Sequence, residues 1–439
     1  MIREIAFAAT GDAFITRRLP VQDEAFERLS TILKQADVRF TNLEVTLHQH
    51  EGIPAAVSGG TWAMGPPDAL CDLRAYGFNL IAWANNHTLD YSYGGLEATE
   101  EYLNKHGFVH AGVGMNLASA SEPRYLETAA GRVAIISATS TCHESAIAGD
   151  QRPDMIGRPG VNPLRYETIH KISPYNMQQL KSIASIVKIN AAQEQSIKEG
   201  FKLPRNDDLY SFGNYLFKED DQEGVTSRPH ASDLRRIIAA IREARLQAEH
   251  IIVSIHAHEM NGEHKNQPAE FLEIFARNCI DEGAHAVIGH GPHILRGIEI
   301  YRNRPIFYSL GNFIFQNDTI THLPADFYEK YGLSHTEHVG GALEKRSQNN
   351  TIGFGVNPKI WQSVLPVWKM RDGELTELVL HPVELGYGKP RYERGWPEIS
   401  ANGQILAELA ELSAPYGTSI EIEGGVGRVS VSGGVTSQN

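Results

Sequence analysis

Apolar residues in this chain come in short runs that stop abruptly at polar or charged side chains. Residues 5–10 read as a strand that gives way to Gly11-Asp12. Residues 38–41 read as a second strand, ending in Asn42-Leu43-Glu44, and strand alternation points Asn42 and Glu44 the same way. Residues 80–84 form a third run, broken by Asn85-Asn86-His87, with Asp90 shortly after. Residues 132–138, 250–255 and 286–288 are further buried strands. The last two stop at His256-Ala257-His258-Glu259 and at Gly289-His290-Gly291-Pro292-His293. Residues 298–301 and 305–310, joined by Arg302-Asn303-Arg304, predict a hairpin that leads into Gly311-Asn312-Phe313. Strands at 363–370 and 377–383, and around Ile420 and Val429, complete the set.

Helical periodicity fills the gaps. Residues 24–36 place Phe26, Leu29, Ile32, Leu33 and Ala36 on one stripe. Helices are also predicted over 66–76, opening on Pro-Pro, over 96–106, 232–248 and 403–412, and over 268–282, stopping at Gly283. Alternation of strand and helix predicts an α/β fold. Residues 162–225 interrupt it with an apolar helical stripe (Met177, Leu180, Ile183, Ala184, Val187, Ala191) and an aromatic patch at Tyr210, Phe212, Tyr215 and Phe217. The predicted division is therefore two halves of one α/β domain, 1–161 and 226–385, around a helical and aromatic insertion at 162–225. A C-terminal helix and strands at 386–433 pack on the core, and 434–439 form a disordered tail. The insertion reads as a segment packed on the core, a lid, or a homo-oligomer contact.

Charge and cysteine content narrow the function. The net charge of −13 excludes a nucleic-acid surface, but not an anionic substrate, because a metal ion reverses the local field. Cys71, Cys142 and Cys279 are widely separated, with neither zinc spacing nor a disulfide framework, and read as buried reduced thiols. The N-terminal stretch lacks the layout of a signal peptide, and no apolar run reaches membrane-spanning length. A cytoplasmic protein with no membrane partner is expected.

Five strand ends thus carry Asp12, Glu44, Asn86 with His87, His256 with His258, and His290 with His293. Carboxylate, amide and imidazole donors at one sheet edge suit one or two divalent transition metals such as Mn, Zn or Fe, with Glu44 as a bridge between two. Such a site activates water. His87 would serve as general acid or as an electrophile on a substrate oxygen, with Asp90 three residues on orienting its ring from the same face of a helix. Taken alone, the same stretch also reads as a polar turn capping the next helix.

The segments GD (11–12), NLE (42–44), ANNHTLDY, HAHE, GHGPHIL and IFYSLGNFIF, in order over residues 5–315, resemble the CapA family of poly-γ-glutamate synthesis proteins, within the calcineurin-like metallophosphoesterase superfamily. The resemblance implies a four-layer α-β-β-α sandwich of metallophosphoesterase type. It also implies that Asp12 binds one metal, that Glu44 takes the place of a bridging aspartate, and that Asn86 and His256 bind the second metal. His290 and His293 would complete the sites, and His87 is the histidine beside the metal-binding asparagine. Phe14 stands where the superfamily usually has histidine, so His258 or Glu259 would complete the first site. Ala257-His258 replaces the family's common Trp-Gly, and the insertion is longer than the family leads one to expect. Asn42, His258, Glu259 and Asn312 are expected to bind substrate or act as alternative ligands. The implied activity is metal-dependent hydrolysis of an amide or γ-glutamyl-type bond in a small anionic substrate. A phosphoesterase, and a non-catalytic binding protein for an anionic polymer such as poly-γ-glutamate, are the alternatives.

Overall fold

Alternate residues of the strands face different cores. The computed structural model describes residues 4–20 and 22–430. One sheet runs in the order Ile420–Glu423, Val426–Val429, Glu374–Glu384, Gln362–Arg371, Glu4–Phe14, Val38–Leu43, Leu80–Ala82, Val109–Ala111, with Asn312–Phe315 paired to the end of Glu4–Phe14. A second runs Ile298–Tyr301, Arg304–Phe307, Ala286–His290, His250–His256, Gly131–Thr139, Arg124–Thr128. Ile5, Phe7, Val38, Phe40 and Leu80 of the first share a core with Val133, Ile135, Ile252, Ala286 and Ile288 of the second. The residues between them turn the other way. Ala8, Leu43 and Ile81 pack with Phe26, Leu29, Leu33, Leu73 and Leu103 from the helices Glu24–Lys34, Ala69–Tyr76 and Ser92–Lys105. Ala134, Ile136, Ile251, Val253 and Val287 pack with Ile237, Ile241, Phe271 and Phe275 from Ala231–Ala244 and Glu270–Asp281. The period-two pattern thus builds the expected mixed α/β fold.

Several boundaries differ from the sequence reading. Residues 66–68 precede their helix, which occupies Ala69–Tyr76. The helix after the central motif starts at Ser92, so His87 and Asp90 sit on a turn, closed by Asp90 N donating to His87 O at 3.1 Å, and not on a helix face. Cys71 is exposed, not buried. Residues 316–361, left without elements by their weak periodicity, contain the helices Ala325–Lys330 and Val339–Arg346, whose Phe327, Tyr328, Ala342 and Leu343 cluster with Trp62, Met64 and Tyr91. The 434–439 tail lies outside the described residues. No helix among the described residues is long and apolar enough to cross a membrane.

The first strand contains its reactive residue instead of ending before it. Ala9 pairs with Phe40 but Asp12 pairs with Asn42, so one extra residue is accommodated at Thr10-Gly11. Without that bulge, alternation from Phe7 and Ala9 would turn Asp12 toward the helices. With it, Asp12 joins Phe40 and Asn42 on the side facing the second sheet, and Ala13 joins Leu43 on the other. The bulge requires close backbone approach: Asp12 N donates to Gly311 O at 3.1 Å, and a Cβ on Gly11 would lie 1.9 Å from that same oxygen.

The insertion is not only helical. Its helices Pro174–Val187 and Ala191–Lys198 accompany a four-stranded sheet in the order Tyr210–Phe212, Tyr215–Glu219, Tyr166–Ile172, Gly224–Pro229, and the aromatic patch lies on the first two of these strands. The root is held by buried Asp233. It accepts from Arg165 N at 2.9 Å, from Arg165 Nε and Nη2 at 2.8 Å each, and from Arg236 Nη1 at 2.7 Å. Burial alone would raise the Asp233 carboxyl, but these hydrogen bonds outweigh it and hold the pKa at about 2.

Two outcomes are expected. Gly11→Ala should lose about 3 kcal/mol in urea melts, because backbone must move to admit the methyl group. A melt matching the parent would show that the bulge does not need glycine. Asp233→Asn should cost about 1–2 kcal/mol at neutral pH, a figure discounted because Arg165 is half exposed. A depressed folded-state pKa gives stability above the unfolded value, so the gap between parent and variant should close as pH falls from 3.8 through about 2. A gap independent of pH would remove Asp233 ionisation from the account.

Candidate metal centre

The bulge and the parallel strands bring donors from both sheets to one place. Asp12 lies opposite Asn42 on one side and Asn312 on the other. Glu44 follows the end of Val38–Leu43. On the second sheet, His256 and His290 are register partners at the carboxyl ends of their strands. Alternation from Ile252 and Ile288, which face the first sheet, carries both imidazoles to the same face. His293 enters from the turn after His290, where Gly291 (φ 114°) and His293 itself (φ 59°) adopt left-handed backbone. A Cβ on Gly291 would meet Ala257 N at 2.9 Å, and its amide donates to Asp12 Oδ2 at 2.9 Å.

Three overlapping groups have donor atoms within 4.8 Å of one another: Asp12, His256 and His290; Glu44, His256 and His258; Asp12, Glu44 and His293. Asp12 Oδ1 is 3.3 Å from His290 Nδ1, and Glu44 Oε1 is 3.6 Å from His256 Nε2. His293 Nδ1 lies 3.7 Å from Asp12 Oδ2 and 3.8 Å from Glu44 Oε2. His256 Nε2 and His258 Nε2 are 3.1 Å apart. Asp12, Glu44, His256 and His290 are all 0% exposed.

The two carboxylates are treated differently. Burial raises Asp12, but a hydrogen bond from His290, the charges of His290 and His293, and the Asn42 amide at 2.8 Å more than offset it, and its pKa is lowered. Glu44 is pushed well above the carboxylate range, first by burial and then by the charges of Asp12 and Asp90. Neither of its oxygens has a hydrogen-bond donor. Burial, then neighbouring imidazoles, holds His256 and His258 well below the ordinary histidine value, and burial pushes His293 down to about 4. Imidazoles held neutral and turned toward one another, beside a buried carboxyl that no hydrogen-bond donor reaches, form a donor set that fits a divalent transition metal.

The remaining sequence-predicted residues divide into those near the cluster and those engaged elsewhere. Asn42 also lies 3.4 Å from His256 Nδ1, and Asn312 Oδ1 contacts His293 Nδ1 at 2.9 Å, so both orient donors. Asn86 donates to Gly59 O at 2.8 Å and leaves a buried Oδ1 with no donor. Glu259 belongs to none of the three groups; its carboxylate accepts from Ser140 at 2.6 Å and Thr141 at 2.9 Å. His87 Nδ1 donates to Asp90 Oδ2 at 2.6 Å. Asp90 also accepts from Gly59 N and Ala63 N at 2.8 Å each, which fixes its carboxylate. Phe14 packs edge-on against His87, with ring centroids 5.2 Å apart.

Some contributors were missed in the sequence. Asn85 bonds Leu43 O at 2.7 Å and receives His87 N at 3.0 Å, tying the turn to the Glu44 strand; the doubled asparagine was its only signal. Ser254 Oγ sits 2.8 Å from His290 Nε2. Lys265 and Arg346 line a cavity of about 330 Å³ together with Phe14, His87, His258 and His293, and nothing in their local sequence marks them. A larger groove of about 780 Å³ adjoins it at Gly59 and includes Asn86 and Glu259.

Residues 6–317 match the family described as "Bacterial capsule synthesis protein PGA_cap". The Sinorhizobium fredii protein y4sH is 35% identical over 439 residues, covering 96% of this chain and 92% of its own. The "PGA biosynthesis protein CapA" of Bacillus subtilis is 39% identical over 84 residues, 19% of this chain and 21% of its own. A solved structure of a hypothetical protein from Thermus thermophilus covers 87% of this chain and 99% of its own, with a TM-score of 0.40 and 11% identity. The extent of the family match, spanning the first carboxylate strand through the YSLGNF segment, makes this chain a member of the PGA_cap family, to which the CapA proteins belong.

Proposed function

We propose that this protein is a metal-dependent hydrolase that cleaves an amide or γ-glutamyl-type bond in a small anionic substrate. The observation that carries the reading is Glu44, a buried carboxylate with no donor on either oxygen, set among neutral imidazoles beside the His87 cavity. Asp12, Glu44, His256, His290 and His293 would hold one or two ions of Mn, Zn or Fe, with His258 available where Phe14 offers no ligand and Asn86 Oδ1 as a further donor. A bound metal supplies Lewis acidity and a water of lowered pKa. The two sheets and their helices would then form the four-layer sandwich of the metallophosphoesterases.

The chain's own residues supply the rest. Asp90 accepts from His87 Nδ1 and so orients the ring, leaving Nε2 as the nitrogen that would deliver a proton to the departing nitrogen. Phe14 covers one edge of that imidazole and limits water there. The CapA relatives, named for capsule and PGA biosynthesis, support an anionic substrate. A phosphoester is the second reading, favoured by Lys265 and Arg346 in the cavity wall.

Protein prepared in metal-supplemented medium should contain at least one equivalent of a divalent transition metal by elemental analysis. Less than about a tenth of an equivalent, with no gain on reconstitution, would overturn the assignment. His87→Asn should keep the parent's metal content and lose about a hundredfold to ten-thousandfold in turnover, with Asp90→Asn losing less. His256→Ala should lose metal instead. Full activity in a folded His87→Asn protein would remove it from the chemistry. A panel of γ-glutamyl amides and phosphoesters, assayed with Mn or Zn, decides between the two bonds.

A further inference from the structure

The cavity beside the cluster has a chemical bias that the metal donors do not explain. Its wall includes two cations, Lys265 and Arg346, and among the described residues neither forms an ion pair. In a chain of net charge −13, two partly buried cations on one cavity wall without a carboxylate partner are an uncommon arrangement. The obvious acidic neighbour of Arg346 is Asp318, but Arg394 Nε already donates to its carboxylate at 2.8 Å. Arg346 instead donates to the Thr61 hydroxyl, and Thr61 in turn bonds Asn317 Oδ1 at 3.1 Å. Neutral partners hold this guanidinium in place without cancelling its charge.

Lys265 is fixed from behind. The fully buried Arg296 donates Nε to Lys265 O at 3.1 Å and Nη2 to His258 O at 3.1 Å and Glu259 O at 2.8 Å. One guanidinium thus ties the Lys265 backbone to the loop that carries His258. The Lys265 ammonium lies 5.9 Å from the Phe354 ring centroid, and Phe354 packs against His293 at 5.4 Å. The cation is therefore set next to the metal donors by a contiguous run of contacts.

We infer that Lys265 and Arg346 form a subsite for a terminal anionic group of the substrate, a carboxylate or a phosphate. The inference rests on reading the adjacent cluster as the hydrolytic centre. A cavity of about 330 Å³ is at the small end of ligand sites, and it suits one terminal unit instead of a run of polymer. An anion held there sets the rest of the molecule toward His87 and His293, which share the same wall. Arg346 ends the helix Val339–Arg346, beyond residue 317 where the family match stops. One of the two selecting charges is thus brought by a segment outside the matched region, while Lys265 and the donors lie inside it.

The test is calorimetric titration of the full chain as purified, with three probes: glutarate, its neutral diamide glutaramide, and inorganic phosphate. Glutarate or phosphate should bind at least tenfold more tightly than glutaramide. Arg346→Gln and Lys265→Met should each weaken the preferred anion at least tenfold, while metal content stays at the parent's level. The tighter of the two anions identifies the source of the group. Equal binding of glutarate, phosphate and glutaramide, or variants that bind the anion like the parent, would overturn the inference. Should Arg346→Gln melt early, Arg346→Lys keeps the charge, and it should retain binding if the subsite reads charge. Binding that survives in a protein with no turnover on any substrate defeats the hydrolase reading alone. Turnover with no anion discrimination defeats this one alone.

Discussion

The site depends on a difference in how two buried carboxylates are compensated. Asp12 is satisfied by the protein itself, through Asn42, the Gly291 amide and His290. Glu44 is equally buried and receives nothing. It has no solvent exposure and burial favours its protonated form, and the donors around it are of the kind that could hold a cation in the proton's place. This constraint explains features that otherwise look unrelated. The bulge at Thr10-Gly11 aims Asp12 across the gap between sheets, the left-handed turn at Gly291–His293 folds a third imidazole back over it, and Asn312 steadies that imidazole. A metal bound by such a cluster would couple folding to occupancy.

Most of the donor set was legible because it sits where apolar runs stop. Strand period and chain order placed Glu44, His256, His290 and His293 at sheet edges without any tertiary information. Asp12 was found for an incomplete reason. Alternation alone points it to the wrong face, and the correction comes from a close contact with Gly311, a residue three hundred positions away in sequence. The pairing of His87 with Asp90 was legible, while a helix face and a polar turn both stood open as its setting, and the structure uses the turn.

What escaped the sequence has a common physical cause. Lys265, Arg296 and Arg346 act through tertiary position, and an isolated cation in a weakly periodic segment looks the same whether it meets solvent or a cavity. The short helices at Ala325–Lys330 and Val339–Arg346 bury only a few residues each, so their hydrophobic pattern is faint. The sheet in the insertion was hidden by the opposite problem. Its aromatic residues were visible, but pairing of Tyr166–Ile172 with both Tyr215–Glu219 and Gly224–Pro229 is a long-range choice that local pattern does not reveal.

That pairing carries one more consequence. Tyr166 faces Pro229 across an antiparallel ladder, so the segment between them leaves the core and returns at adjacent points. To the strands on either side, it is a loop of nearly zero span. Its length can change without altering the distance its ends must bridge, and the hydrogen bonds at its neck stay in register whatever lies beyond. Mechanically it is a side branch: strain or motion in its outer strands reaches the core through this narrow stem, pinned at Arg165 and Asp233, and through Thr226 and Ser227, which bond the start of the helix Glu270–Asp281.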